Sequence, residues 1–156
     1  LDVNNIRYKE IPGAGWTDNL FQIQTMTLAK SIVYTDNSYY IWRDVSSKLK
    51  DYTIPFDRCN EIHDWIKNNN IEFTDEMWEM LYKREMSYIY LTLNIDELKD
   101  ENDFYDRVFV MCHRMRKDIV KNSKVLYDSI KLLYEICWES PRLARKLAHT
   151  TKLLKW

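Results

Sequence analysis

The chain has 156 residues, of which 46% are hydrophobic and 14% aromatic, and its formal net charge is −1. This length and composition predict one compact, helix-rich domain and exclude disordered, collagen-like and low-complexity chains. The two glycines, Gly13 and Gly15, are too few for a dinucleotide-binding turn, and they lack the spacing and the lysine that a phosphate-binding loop needs.

Residues 1–16 are predicted to form an extended arm, because they contain Pro12 and both glycines. Trp16, at the end of this arm, is expected to anchor it to the core. Residues 17–156 follow as a single helical domain, since no change in composition marks a linker between two domains.

Apolar residues recur every three or four positions through most of the domain, which predicts helices. The predicted helix starts, each at a residue that can cap a helix, are Thr17 or Asp18, Asn37 or Ser38, Thr53, Thr74, Asp103, Ser123 and Ser140. Pro55 is expected to kink a helix or begin one, and Pro141 to open the last helix. Because no segment alternates with period two, the fold class is predicted to be all-α. We expect an antiparallel bundle of three to four long helices, with shorter helices at the N-terminus and at the proline breaks.

The net charge conceals a strong asymmetry. Residues 105–156 hold 12 Lys and Arg against 5 Asp and Glu, whereas residues 1–104 hold 11 against 19. The final stretch, residues 140–156, contains five cations: Arg142, Arg145, Lys146, Lys152 and Lys155. Two interpretations remain open: a solvated helix face, or a basic docking face for an acidic peptide, an anionic membrane or a nucleic acid. We expect Leu143, Leu147 and Leu154 to complete the core while the cations face a partner.

Three widely spaced cysteines do not form a disulfide framework, so a reducing compartment is favoured. Cys59 with His63 and Cys112 with His113 include zinc-binding residue types, but their spacing matches no known finger, and buried thiols are the preferred interpretation. We therefore expect no metal and no cofactor.

No motif for nucleophilic or metal-dependent catalysis is present, so no catalytic residue is assigned and the chain is not expected to be an enzyme. Trp42, Trp78 and Trp138 lie on or beside apolar stripes, which favours core packing over a stacking platform for nucleic acid. No apolar run approaches the length of a membrane span, so no transmembrane segment is predicted.

Four segments follow the order of a known helical family. They are residues 7–12; Ile41-Trp42 with Val45; Asn70-Ile71 with Trp78 seven residues after the isoleucine; and Cys137-Trp138 with the closing Lys155-Trp156. This order resembles the PHIST domain, the helical domain of exported malaria-parasite proteins, which also occurs in the ring-infected erythrocyte surface antigen. Glu72 stands where that family usually has a proline.

The resemblance implies a non-enzymatic adaptor that is exported to the host erythrocyte cytosol and acts at the membrane skeleton. Its partners would be the acidic cytoplasmic segment of the parasite's variant surface adhesin and host membrane-skeleton proteins. The cations near the C-terminus would then form the partner-binding face. A basic module for nucleic acid or anionic membrane is the alternative, followed by a helical mimic of a host death regulator and by a small enzyme.

Overall fold

The computed structural model describes residues 4–9, 17–36, 51–98 and 100–150. This part of the chain is all-α, as the sequence predicted, and contains no strand. The helices are α1 (Thr17–Leu28), α2 (Thr53–Asn68), α3 (Asp75–Leu93), α4 (Asn102–Arg114), α5 (Lys117–Asn122), α6 (Asp128–Glu139) and α7 (Pro141–Thr150). A short 3-10 helix, Asp96–Leu98, lies between α3 and α4.

The chain divides into two compact units, residues 1–63 and residues 64–156. The boundary between them falls inside α2, which runs as one helix from Thr53. The sequence suggested instead an arm over residues 1–16 followed by one domain. The helix predicted to start at Asn37 or Ser38 lies outside the described residues.

The described part of the N-terminal arm contacts its own unit. Ile6 is buried, and the ring of Tyr8 stacks on the ring of Phe21 in α1, with centroids 4.0 Å apart. Lys9 forms an ion pair with Glu61 in α2. The arm is therefore held by an apolar contact, an aromatic contact and a charged one, while Trp16, the anchor that the sequence suggested, lies outside the described residues.

Both prolines that the sequence analysis singled out in helices lie in first turns. Pro55 is the third residue of α2, and Pro141 is the first residue of α7. The first backbone N–H groups of a helix have no partner inside the helix, so a proline there removes no hydrogen bond. Pro141 therefore begins a new helix rather than kinking a continuous one.

The asparagine run after α2 ends that helix through a specific backbone geometry. Asn70 adopts a positive φ of 49°. The N–H of Ile71 donates to the carbonyl of Ile66 at 3.0 Å, and the N–H of Asn70 donates to the carbonyl of Lys67 at 3.2 Å. These two bonds define a Schellman motif, which satisfies the last carbonyls of the helix. Asparagine serves here because it tolerates the left-handed region better than most residues.

The predicted helix boundaries are confirmed at Thr74, whose hydroxyl accepts the N–H of Met77 at 3.3 Å. They differ between α4 and α6. The helix predicted to start at Asp103 ends at Arg114, because the backbone is extended at Met115, and the short helix α5 lies between it and the next predicted start at Ser123. Ser123 caps a turn, because its hydroxyl accepts the N–H of Leu126, and α6 begins only at Asp128.

The core of the second unit lies between its helices. α3 and α4 each pack against α6 and α7, and α3 also packs against α5. The fully buried side chains at the centre are Met86, Ile89, Leu93, Phe104, Val108, Cys112, Val120, Ile130, Tyr134 and Cys137. α7 is thus supported from several sides.

Candidate docking surface on the last helix

Helix α7 begins at a local signal that the sequence shows clearly. The hydroxyl of Ser140 accepts the N–H of Leu143 at 3.3 Å, which caps the first turn. Pro141 follows as the first helical residue, a position where its fixed φ suits the helix. Two adjacent residues therefore define the start of α7.

Four side chains of α7 face outward. They are Arg142, Leu143, Lys146 and Leu147, which we call the leucine–cation face. Leu143 is 48% exposed and Leu147 36% exposed. Residues four apart on a helix lie one above the other, so the two leucines form one row and the two cations form the row beside it.

The expectation that the leucines of α7 complete the core is wrong for Leu143 and Leu147. The buried side of this helix instead carries Pro141, Ala144 and Arg145. The fully buried side of α7 therefore does not include Leu143 or Leu147, and each of these leucines is covered only in part. Part of the apolar surface predicted for the interior is thus exposed to solvent.

Arg142 is held in a defined position by residues of α4. Its guanidinium lies over the ring of Tyr105, 4.3 Å from the centroid, and donates a hydrogen bond to Asn102. The charge is still exposed to solvent. A cation that is already ordered loses less conformational entropy when it binds an acidic group.

Arg145 does not belong to the outward face, which corrects its expected role as a partner-binding cation. Its side chain is only 7% exposed, and its Nη2 donates to the backbone carbonyl of Ile95 at 2.6 Å. The same nitrogen lies 3.8 Å from a carboxylate oxygen of Asp96. Arg145 therefore fastens α7 to the segment that follows α3.

Of the remaining predicted site residues, some lie outside the described residues and two are half-buried tryptophans. Lys152, Lys155, Leu154 and Trp42 lie outside the described residues. Trp78 and Trp138 are half-buried rather than fully enclosed. Both are held by aromatic contacts at the edge of the fold.

Trp138 is part of a column of rings at the surface. The imidazole of His113 stacks on it with centroids 4.0 Å apart, and Phe109 stacks on His113 at 3.8 Å. The amine of Lys117 lies 4.6 Å from the centroid of the Trp138 ring. Trp78 similarly contacts Phe73 and Tyr82. Neither tryptophan lies on α7.

Sequence reasoning missed a buried ion pair between α3 and α4. The Glu85 side chain is fully buried in α3 and accepts a hydrogen bond from Arg114 Nη2 of α4 at 2.7 Å. Glu85 lies four residues after Leu81 and four before Ile89, in the apolar register of its helix. A charged residue in an apolar register was the available signal, because such a residue needs a partner when it is buried.

The cysteines have the surroundings of structural residues. All three cysteines are buried, and none forms a disulfide bond within the described residues. The hydrogen bond with Cys137, together with burial, holds the pKa of the Cys112 thiol well above its usual value. Because the thiolate is the reactive form, Cys112 stays protonated and inert at neutral pH.

Within the described ranges, no group of three or more His, Cys, Asp or Glu side chains could hold a metal ion. None of the helices described is both long enough and apolar enough to cross a membrane. Comparison with protein-family models, curated proteins and solved structures finds no match to this chain.

Proposed function

We propose that this chain is a non-enzymatic protein-interaction module that binds an acidic peptide segment through the leucine–cation face. The observation that supports it is the adjacency of two exposed rows on α7, one of leucines and one of cations. Exposed leucines supply apolar area, and neighbouring cations select a negatively charged partner and steer its approach.

We extend this proposal to the biological setting that the PHIST resemblance implies. The partner is then the acidic cytoplasmic segment of the variant surface adhesin, and host membrane-skeleton proteins are the second class of partner. The module acts as an adaptor in the host erythrocyte cytosol, at the membrane skeleton. Buried thiols that form no disulfide bond suit such a reducing compartment.

The docking surface in this proposal differs from the one expected from the sequence. Arg142 and Lys146 contribute the exposed charges, and Lys152 and Lys155 follow along the chain. Arg145 is assigned to holding α7 in place, because its guanidinium is buried against the Ile95 carbonyl. Binding should depend on salt, since the exposed cations are screened by it.

A charge reversal with a matched control tests the proposal. Lys146→Glu should weaken binding of the acidic adhesin segment about fivefold or more, the effect of losing one favourable charge contact and adding a repulsive one. Lys124→Glu is the control, because Lys124 is also an exposed lysine but lies between α5 and α6. Affinity measured by titration at low and high salt should fall with salt for the parent chain. Equal affinities for the two variants would contradict the proposed surface.

Two further ligands distinguish the proposal from the alternative, a basic module for nucleic acid or anionic membrane. An arbitrary oligonucleotide and anionic vesicles should bind more weakly than the acidic segment. Binding of the oligonucleotide should also be insensitive to Leu143→Ala, because phosphate contacts need no leucine row. Anionic vesicles can use the leucines as well as the cations, so they are distinguished by their affinity alone. Tighter binding of either ligand than of the acidic segment would favour the alternative.

A further inference from the structure

The geometry of the leucine–cation face restricts the shape of the acidic segment as well as its charge. Arg142 and Lys146 are separated by one helical turn, and so are Leu143 and Leu147. Each pair spans about 6 Å along one side of α7. A partner that uses both rows must therefore present an acidic row and an apolar row side by side.

An extended peptide cannot do this, because its successive side chains point to opposite sides. If its acidic residues face the cations, the residues between them turn away from the leucines. A helix places residues i and i+4 in one row and residues i+1 and i+5 in the adjacent row. It presents both rows to the same surface.

Backbone hydrogen bonding also favours a helical partner. Because α7 is a helix, its backbone groups point along the helix axis and form no strand edge with which an extended peptide could pair. A helical segment satisfies its own backbone. In addition, a groove between two i, i+4 rows is the shape that accepts such a row from another helix.

From these features we infer that the acidic segment binds as an amphipathic α-helix lying along α7. Its acidic residues contact Arg142 and Lys146, and its apolar residues contact Leu143 and Leu147. This inference rests on the proposed function, which names an acidic segment but not its conformation. Arg142 favours the complex further, because Tyr105 and Asn102 already hold its guanidinium in position.

Two synthetic peptides of nearly the same composition test the inference against the full chain. The first has glutamates at i, i+4 and i+8 and leucines at i+1, i+5 and i+9. The second peptide has the same sequence except that one central alanine is replaced by proline, which prevents a continuous helix without altering the charge. We expect the first peptide to bind about tenfold more tightly, which corresponds to about 1.4 kcal/mol, and to gain helical circular dichroism on binding.

Variants of the chain locate the effect on α7. Leu143→Ala should reduce the difference between the two peptides to about threefold or less, because it removes part of the leucine row. Leu91→Ala is the matched control, since Leu91 is 55% exposed but lies on α3. Both substitutions are at exposed positions, and unchanged thermal unfolding midpoints would verify that both variants fold.

The outcomes separate the two proposals. Equal, salt-dependent binding of both peptides would overturn the helical inference and leave the acidic-segment proposal standing. Absence of binding by either peptide, and by the adhesin segment, would overturn both. A preference for the helical peptide that Leu91→Ala removes and Leu143→Ala does not would overturn the assignment to α7.

Discussion

Two arginine contacts of the second unit differ in which of the two charged groups is buried. In the first, Arg114 of α4 is 23% exposed and its partner Glu85 is fully buried, so the enclosed charge is the carboxylate. In the second, Arg145 of α7 is 7% exposed and the Asp96 carboxylate is 89% exposed, so the enclosed charge is the guanidinium. Arg145 compensates through the carbonyl of Ile95.

The burial of each charged group indicates which partner its contact depends on. A buried charge that loses its partner is far more costly than an exposed one, because water cannot replace the lost interaction. Glu85 therefore depends on Arg114, whereas Arg145 depends on the Ile95 carbonyl more than on Asp96. The comparison can be tested by removing one group at a time.

The largest effect is expected for Arg114→Met. This change leaves the Glu85 carboxylate buried without the guanidinium, and should lower the free energy of unfolding by about 3–5 kcal/mol. Chemical denaturation measures it. Arg107→Met is the control, because Arg107 forms a 2.7 Å ion pair with the exposed Asp103 and should cost less than about 1 kcal/mol.

The double variant Glu85→Met, Arg114→Met sharpens the same prediction. Removing both charged groups together should recover most of the stability that Arg114→Met loses, since no charge is then stranded. If the double variant is as unstable as the single one, the loss comes from packing and not from the buried carboxylate.

A smaller loss is expected for Arg145→Met. The Ile95 carbonyl loses its donor, which should cost about 1–3 kcal/mol in unfolding free energy. Lys146→Met, an exposed position on the same helix, should change stability by no more than about 0.5 kcal/mol. If Arg145→Met weakens binding of the acidic segment with no change in stability, Arg145 is a contact residue after all.

Tyr134 lies in the core between α6 and its neighbours. Replacing it by phenylalanine should raise the free energy of unfolding by about 1 kcal/mol. Its buried hydroxyl has no hydrogen-bond partner among the described residues, so Tyr134→Phe should stabilise the fold at pH 7. Tyr127→Phe, at a residue 63% exposed, is the control and should change little.

The stabilisation by Tyr134→Phe should also grow with pH. Burial raises the pKa of Tyr134 well above its usual value, so the folded chain keeps a proton that the unfolded chain loses near pH 10. The unfolding free energy of the parent therefore falls as pH rises past about 10, and the phenylalanine variant lacks this contribution. Denaturation at pH 7 and pH 10.5 measures the unfolding free energies of the parent and the variant. If the difference between them is the same at both pH values, the raised pKa of Tyr134 is not the cause.

The smallest effect is expected for Asp96→Asn. The carboxylate is exposed and 3.8 Å from the guanidinium, so its loss should change the unfolding free energy by less than about 0.5 kcal/mol. A loss as large as that of Arg145→Met would mean that the charge pair, and not the carbonyl bond, holds α7.

The sequence predicted the fold class and several helix ends because those features depend on local chemistry. Thr74 and Ser140 accept backbone N–H groups within three residues, and Pro141 follows its cap directly. The break at Met115 was missed, because an apolar stripe continues through it and no glycine or proline marks it.

The outward face of α7 could not be predicted in the same way. Its leucines and cations are plain in the sequence, but which side is buried depends on the helices packed against it. Ala144 and Arg145 face inward because Ile95 supplies an acceptor for the guanidinium, a contact 50 residues distant in the chain. Glu85 illustrates the same limit, since its partner lies on another helix.

The buried cysteines can be used to measure local unfolding of the chain. Cys59 belongs to the first compact unit, and Cys112 and Cys137 belong to the second. An alkylating reagent reaches each thiol only when the surrounding structure opens, so the rate of labelling at each site measures local exposure. Mass spectrometry of timed alkylation would then show whether the two units open together or one before the other, with no engineered probe.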